Sequence, residues 1–306
     1  MSVEAFLALR AHFFNDKGRP KRYRLPEKRN TQDDPLDVYI CKRLRKAVGD
    51  GIKVVRAGGP LITPDMAVYR PALCNSASGE ALLADSTRII GVEVKKLQRG
   101  KPKKNGPGSV SRKTGLDFNT TPPCGTVRIY DDSERPLDIR GYYLFACQEP
   151  VPDREQTYRL TASVFCDGNL LNEDFDFYLS ITGPRTKAID LGTYGDGANR
   201  VRPMVIFSNP LGTPLLDHQS TLIHARSNLE AEHPALVRVG RIDRTVPPKA
   251  VGATPEIRTF YCYRDRRDVK DGFSPFSERD PFPHPENRRE QTAPRGRFQV
   301  KVKPQA

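Results

Sequence analysis

What the chain lacks narrows its chemistry first. No stretch of its 306 residues approaches the run of about 18 apolar side chains needed for a membrane span, so no membrane association is expected. Met1 to Arg10 has no basic segment leading into an apolar run, which argues against a secretory signal. The six cysteines (Cys41, Cys74, Cys124, Cys147, Cys166 and Cys262) include no Cys-x-x-Cys pair, and no histidine stands at zinc-ligand spacing from a cysteine pair. Several lie inside apolar runs, as in Phe145-Ala146-Cys147 and Val164-Phe165-Cys166, the setting of a reduced, buried thiol. A cytoplasmic compartment without structural metal is the expectation. No Gly-x4-Gly-Lys-Ser/Thr loop occurs, which removes ATP-driven translocation, and no Gly-x-Ser-x-Gly nucleophile elbow is present. Internal repeats are absent. Hydrophobic residues make up only 37%, yet a chain of this length buries a core without metal or disulfide staples.

Positive charge is abundant. Fifty Lys and Arg stand against 37 Asp and Glu, a formal net charge of +13. With a pI near 9.5, the balance points to a polyanionic partner, nucleic acid first.

Residues 1–263 are expected to form one α/β domain, with 264–306 a flexible, basic, proline-rich tail. Val3 to Phe14 suits a short helix, and Lys17 to Gln32 reads as a basic loop or arm. Asp33 or Asp34 caps the clearest helix, with Pro35 in its first turn and Leu36, Tyr39, Ile40, Leu44 and Val48 at helical spacing. Strands are expected at Ile52–Arg56, Asp65–Tyr69, Arg88–Leu97, Gly125–Tyr130, Arg140–Cys147, Tyr158–Cys166, Asp174–Thr182, Val201–Ser208 and Ile257–Tyr263. Asp167-Gly168-Asn169 reads as a turn between two of them, and Gln219 to Glu232 accommodates a helix. Gln98 to Lys113 is a Gly/Pro/Lys/Arg loop with almost no apolar anchor.

The sharpest pattern is Pro64-Asp65 followed by Glu93-Val94-Lys95. Strand side chains repeat every second residue, so Glu93 and Lys95 share a face. Ile89-Ile90-Gly91-Val92 before them is apolar on both faces and belongs in the middle of a sheet. If the Asp65 strand lies alongside, two carboxylates and one ammonium meet at the sheet surface. Those groups suit phosphodiester hydrolysis. Mg²⁺ binds through one or two carboxylates plus phosphate oxygens and waters, which assigns Asp65 and Glu93 as its ligands. Lys95 then serves the attacking water or the transition state.

Pro64-Asp65 … Glu93-Val94-Lys95, with a helix and strand before it, resembles the PD-(D/E)xK nuclease motif over roughly residues 33 to 150. The stretch between the motif halves is longer than in many members and counts as an insertion. The resemblance implies a central mixed β-sheet flanked by helices (restriction-endonuclease-like), to which residues of about 151–263 add a β-rich recognition region. It implies a Mg²⁺-dependent type II restriction endonuclease with catalytic Asp65, Glu93 and Lys95. Such an enzyme hydrolyses double-stranded DNA at a specific short sequence, leaving 5′-phosphate and 3′-hydroxyl ends. A homodimer on a palindromic site and a cognate DNA methyltransferase encoded nearby are the implied partners. Some members add an acidic residue from the preceding helix. Asp37 is the best placed here and Asp34 the next, although both also suit a helix N-terminus on dipole grounds alone.

DNA contacts are expected from Lys96 on the opposite strand face and from Lys101, Lys103, Lys104, Arg112 and Lys113 in the basic loop. Asn119, Thr120 and Thr121 carry groups suited to base edges, and Arg185, Lys187, Arg200 and Arg202 flank a Gly-rich stretch. A rival grouping, Asp217-His218, Asn228 and His233, has spacing too short for an HNH nuclease. A DNA- or RNA-binding protein without catalysis, and a junction or repair nuclease of the same fold, stay open as alternatives.

Overall fold

The computed structural model describes residues 1–27, 34–57, 64–75, 77–98, 116–117, 125–171, 191–193, 199–201, 204–205, 219–246, 254 and 256–270. Two helices open the chain. Helix α1 (Ser2–Phe13) buries Val3, Phe6, Leu9 and Phe13. Helix α2 (Pro35–Ala47) begins as its sequence dictates: the Asp34 carboxylate accepts from Leu36 N at 2.9 Å, and Pro35 needs no N–H in the first turn. Its apolar stripe, Leu36, Ile40, Cys41 and Leu44, is buried.

The strands are β1 (Arg22–Arg24), β2 (Lys53–Arg56), β3 (Met66–Tyr69), β4 (Ile89–Gln98), β5 (Leu116–Asp117), β6 (Thr126–Tyr130), β7 (Pro136–Pro150), β8 (Thr157–Asp167), β9 (Leu191–Thr193), β10 (Asn199–Val201), β11 (Met204–Val205), β12 (Ser220–His224), β13 (Leu236–Val246) and β14 (Glu256–Asp265). Short helices α3 (Pro71–Cys74) and α4 (Gly79–Ala84) lie between β3 and β4, and α5 (Leu229–Glu232) precedes β13. A ten-stranded open sheet runs β13-β14-β12-β8-β7-β4-β3-β2, with β1 added to β8 and β6 to β7. The β4–β7 and β12–β8 pairs are parallel and the others antiparallel, so the protein is α/β with a large mixed sheet flanked by a few helices. The alternation of strand side chains splits the core. Ile90, Val92, Leu144 and Phe165 pack with α1 and α2, whereas Tyr143, Phe145, Val164 and Cys166 pack on the opposite face with Leu170 and Leu171. The central strands are thus covered on both sides, as their apolar runs require.

Several expectations are corrected. The helix expected within Gln219–Glu232 is largely strand: Ser220–His224 is buried along its whole length between β8 and β14, and only Leu229–Glu232 is helical. Pairing on both edges outweighs the weak helical pattern of the segment. Asp167-Gly168-Asn169 is not a hairpin turn. Asp167 accepts from Asn169 N at 3.0 Å and opens a helical turn over residues 168–171, while Asp174–Thr182 lies outside the described residues. Of Val201–Ser208, Val201 ends β10 and Met204–Val205 forms β11, and the other residues lie outside the described ones. β13 and β1 add strands that the patterning had not marked, and β7 extends well beyond Arg140–Cys147. Described chain continues past the expected boundary at 263: Arg264 and Asp265 are buried in β14, and a 3-10 turn, Arg266–Asp268, follows. The reason is ionic. Fully buried Arg10 of α1 donates from Nε to Asp268 at 2.9 Å and lies 3.6 Å from Asp265, so its burial demands those carboxylates. Cys41, Cys74, Cys147, Cys166 and Cys262 are free thiols, four of them buried; Cys124 lies outside the described residues.

His224 shows how the sheet handles a buried ionisable group. Its Nδ1 accepts from Arg226 N at 3.0 Å, which leaves the proton on Nε2 to donate to Tyr142 Oη at 2.9 Å. Burial, aided by Arg226 and Arg140, pushes its pKa down to about 3. The unfolded chain therefore binds a proton that the folded chain refuses between the ordinary histidine value and that depressed one. Stability from this residue is complete above pH ~6.5 and falls as pH drops through that range, by about 2 kcal/mol between pH 7 and 5. Urea unfolding at both pH values is expected to show a loss that is smaller by about that amount in His224→Gln.

Candidate active site

The site arises where β3 leaves β4. The last antiparallel pair is Met66↔Val92, so Asp65, one residue before β3, comes level with Glu93 on β4. β4 itself continues, paired with β7 through Gln98↔Gln148. Val94 N–H thus faces the space that β3 would have filled, and Asp65 Oδ2 accepts from it at 2.7 Å. Such a bond satisfies a backbone donor that would otherwise be orphaned and fixes one carboxylate oxygen. Pro64 is held in turn by Gly91. A Cβ at Gly91 would stand 2.9 Å from Pro64 Cγ and 2.5 Å from Val127 Cγ2, so only glycine leaves room for both. The glycine inside Ile-Ile-Gly-Val therefore positions the aspartate by way of its proline.

Glu93 and Lys95 share a strand face, and Lys95 Nζ donates to Glu93 Oε1 at 2.8 Å in a largely buried ion pair. Glu93 Oε2 is buried with no hydrogen-bond partner. Helix α2 adds a third carboxylate. Burial first, and then the charge of Asp65, push Asp37 up to about 8. Asp65 is pushed up to about 7, by burial and then by Glu93, against the lowering effects of Val94 N–H and Lys95. Asp34 and Lys96 close the arrangement: Lys96 Nζ forms an ion pair with Asp34 across the α2 N-terminus, tying the helix to β4.

The structure thus brings Asp65, Glu93, Lys95 and Asp37 into one site. Among the described residues no set of three or more His, Cys, Asp or Glu side chains is gathered as a ready-made metal cage. The donor set instead fits a hard divalent ion that takes one or two carboxylates and completes its shell with water and substrate oxygen. Burial is the first cause of the raised pKa values of Asp65 and Asp37, neighbouring carboxylates add to it, and Glu93 Oε2 is buried beside them without a hydrogen-bond partner.

Lys96 engages Asp34 rather than standing free on the opposite face. Arg200 is on β10, opposite Gly192 of β9. Lys101, Lys103, Lys104, Arg112, Lys113, Asn119, Thr120, Thr121, Arg185, Lys187 and Arg202 lie outside the described residues, as do Asp217 and His218. Asn228 and His233 flank α5. The Gly91–Pro64 contact and the Asp34–Lys96 pair had no sequence signal beyond the residue types themselves. No protein-family model, curated protein or solved structure matches the chain.

Three outcomes follow for stability. Gly91→Ala is expected to destabilise the fold by about 1–3 kcal/mol in urea unfolding, because Pro64 and Val127 must both yield. Were Mg²⁺ to bind here with a Kd on the order of 1 mM, 10 mM of it would stabilise the protein by about 1.4 kcal/mol, a rise in Tm of a few degrees. Asp65→Asn keeps an acceptor for Val94 N–H while removing the charge. Its Tm without metal is expected to match or exceed that of the wild type, with the Mg²⁺ response lost; an equal response in both proteins would refute the assignment of Asp65 as a ligand.

Proposed function

We propose that the protein is a Mg²⁺-dependent endonuclease of the PD-(D/E)xK type acting on double-stranded DNA. The observation that carries this reading is the level placement of Asp65 and Glu93 across the β3–β4 divergence, with Lys95 two residues on along the same face. A bound Mg²⁺ would supply charge neutralisation at the scissile phosphate and acidify a water at neutral pH. Asp65 and Glu93 would hold it, Asp65 through the oxygen that Val94 N–H leaves unused and Glu93 through its unpartnered Oε2.

The chain's own residues account for the remaining work. Lys95, on the same face as Glu93, places an ammonium beside the position of the attacking water. There it orients that water and stabilises charge growing on the phosphate. Its ion pair with Glu93 sets the ammonium's position before substrate arrives. Asp37 is the additional acid. Its raised pKa gives it protonated and ionised forms near neutrality, so it accepts or returns a proton within the site. Hydrolysis by this arrangement leaves a 5′-phosphate and a 3′-hydroxyl. Type II restriction activity at a palindrome, by a homodimer with one site for each strand, is the specific form proposed.

The test is incubation of supercoiled plasmid and phage DNA with the full chain and Mg²⁺. Discrete fragments with 5′-phosphate ends, abolished by EDTA, are expected. Asp65→Asn, Glu93→Gln and Lys95→Met are each expected to slow cutting by about a hundredfold or more, with DNA binding retained. DNA binding without cutting by the wild type would support a non-catalytic binding protein instead. Cutting confined to branched DNA would identify a junction nuclease.

A further inference from the structure

Between Asp16 and Arg24 the chain carries five cations, Lys17, Arg19, Lys21, Arg22 and Arg24, and a single carboxylate. All five cations are exposed. The carboxylate is drawn away from them, since Asp16 accepts from Arg267 Nη1 at 2.8 Å. Several other surface arginines are matched by acids: Arg128 with Asp138, Arg135 with Asp131, Arg226 with Glu232 and Arg241 with Asp243. Among the described residues no carboxylate pairs with Lys17, Arg19, Arg22 or Arg24. Positive charge is thus neutralised at those four arginines and left without a carboxylate partner at Lys17, Arg19, Arg22 and Arg24.

The segment is also held in shape. Asn15 Oδ1 accepts from Lys17 N at 3.0 Å and Arg19 N at 2.9 Å, and Asn15 N donates to Arg19 O at 2.9 Å. Gly18 takes φ +68°, and a Cβ added there would stand 3.0 Å from Asp268 Oδ1. Lys21 N then donates to Phe13 O at 2.7 Å, and β1 pairs with β8 through Arg22↔Arg159 and Arg24↔Thr157. Strand alternation buries Tyr23 and turns Arg22 and Arg24 outward on one face, about 6.8 Å apart.

Its location relates it to the acid cluster. Arg22 is level with Arg159, and Arg159 with Glu149 of β7. That row lies just beyond Gln98↔Gln148, at the end of the sheet toward which Glu93 and Lys95 lead. Tyr23 stacks on Tyr39 of α2 with centroids 5.2 Å apart, and its hydroxyl pKa is raised by burial and, among other causes, by Asp34. One aromatic layer therefore separates β1 from the N-terminus of α2, where Asp34 and Asp37 lie.

We infer that residues 17–24 form a phosphate-tracking strap that contacts the backbone of duplex DNA held over the acid cluster. The inference rests on the polyanion half of the proposed function. Cations that are exposed, uncompensated and already ordered break no internal ion pair on binding and lose little freedom. Arginine and lysine contacts to phosphate supply affinity and register without reading bases.

The test uses the full chain with Lys17, Arg19, Arg22 and Arg24 all changed to Gln. Binding to fluorescein-labelled duplexes of about 30 base pairs is followed by anisotropy in EDTA from 50 to 200 mM salt. Each phosphate contact contributes about 0.9 to the slope of log affinity against log salt, so the variant is expected to lose about 3 to 4 from that slope, equally on unrelated sequences. A control with Arg128, Arg135, Arg226 and Arg241 changed to Gln removes equal charge from paired positions and is expected to shift the slope by less than about 1. An unchanged slope in the strap variant, an equal loss in the control, or binding of single-stranded RNA but not duplex DNA would each overturn the strap. The assay contains no divalent ion and reads no cleavage. A chain that binds through the strap and never cuts overturns the nuclease reading alone, and one that cuts with an unaltered slope overturns the strap alone.

Discussion

The hydrogen bond from Val94 N to Asp65 is the contact on which the site depends. It exists because two strands that pair through Met66↔Val92 part company at that point while β4 continues along β7. A strand that loses its neighbour exposes backbone donors, and a side chain that satisfies one of them is fixed by the same act. Asp65 is thereby held level with Glu93. Pro64 wedged over Gly91 supports it from one side, and the α2 N-terminus brings Asp37 from the other. Moving any of these parts would change the spacing of the carboxylates.

The electrostatics run in two opposed directions. The chain as a whole carries +13, yet at the acid cluster burial, and then neighbouring carboxylates, push Asp37 up to about 8 and Asp65 up to about 7. A positive exterior draws a polyanion in, while a negative interior needs a cation before that polyanion can settle there. In the proposed function a divalent ion would resolve the conflict, with Asp65 and Glu93 to hold it. The proposed nuclease and the proposed strap are the two ends of this arrangement.

Buried charge elsewhere is handled by pairing. Arg10 reaches across the chain to Asp265 and Asp268, and Glu149 accepts from Arg159 at 2.7 Å. These pairs fasten α1 and the end of β14 to one another and β8 to β7. Ion pairs of this kind contribute less to net stability than to holding one arrangement, since removing one partner leaves an uncompensated buried charge. The acid cluster differs from these pairs in its chemistry: there burial and neighbouring carboxylates together push Asp37 and Asp65 upward.

Local chemistry was enough to place α2, through Asp34, Pro35 and the stripe Leu36, Ile40 and Leu44, and to mark β4 as central from its two-faced apolar run. It was also enough to put Glu93 and Lys95 on one face, because period-two alternation needs no partner strand. It did not reach β12, where Ser220–His224 became strand only because β8 and β14 offered both edges, nor the ordered turn after Tyr263, which exists because Arg10 is buried beside it. That Asp65 stands beside Glu93, that Lys96 turns to Asp34, and that Gly91 makes room for Pro64 are decisions of the tertiary structure. Each depends on strand register and on where two strands separate, and register is set by contacts between residues far apart along the chain.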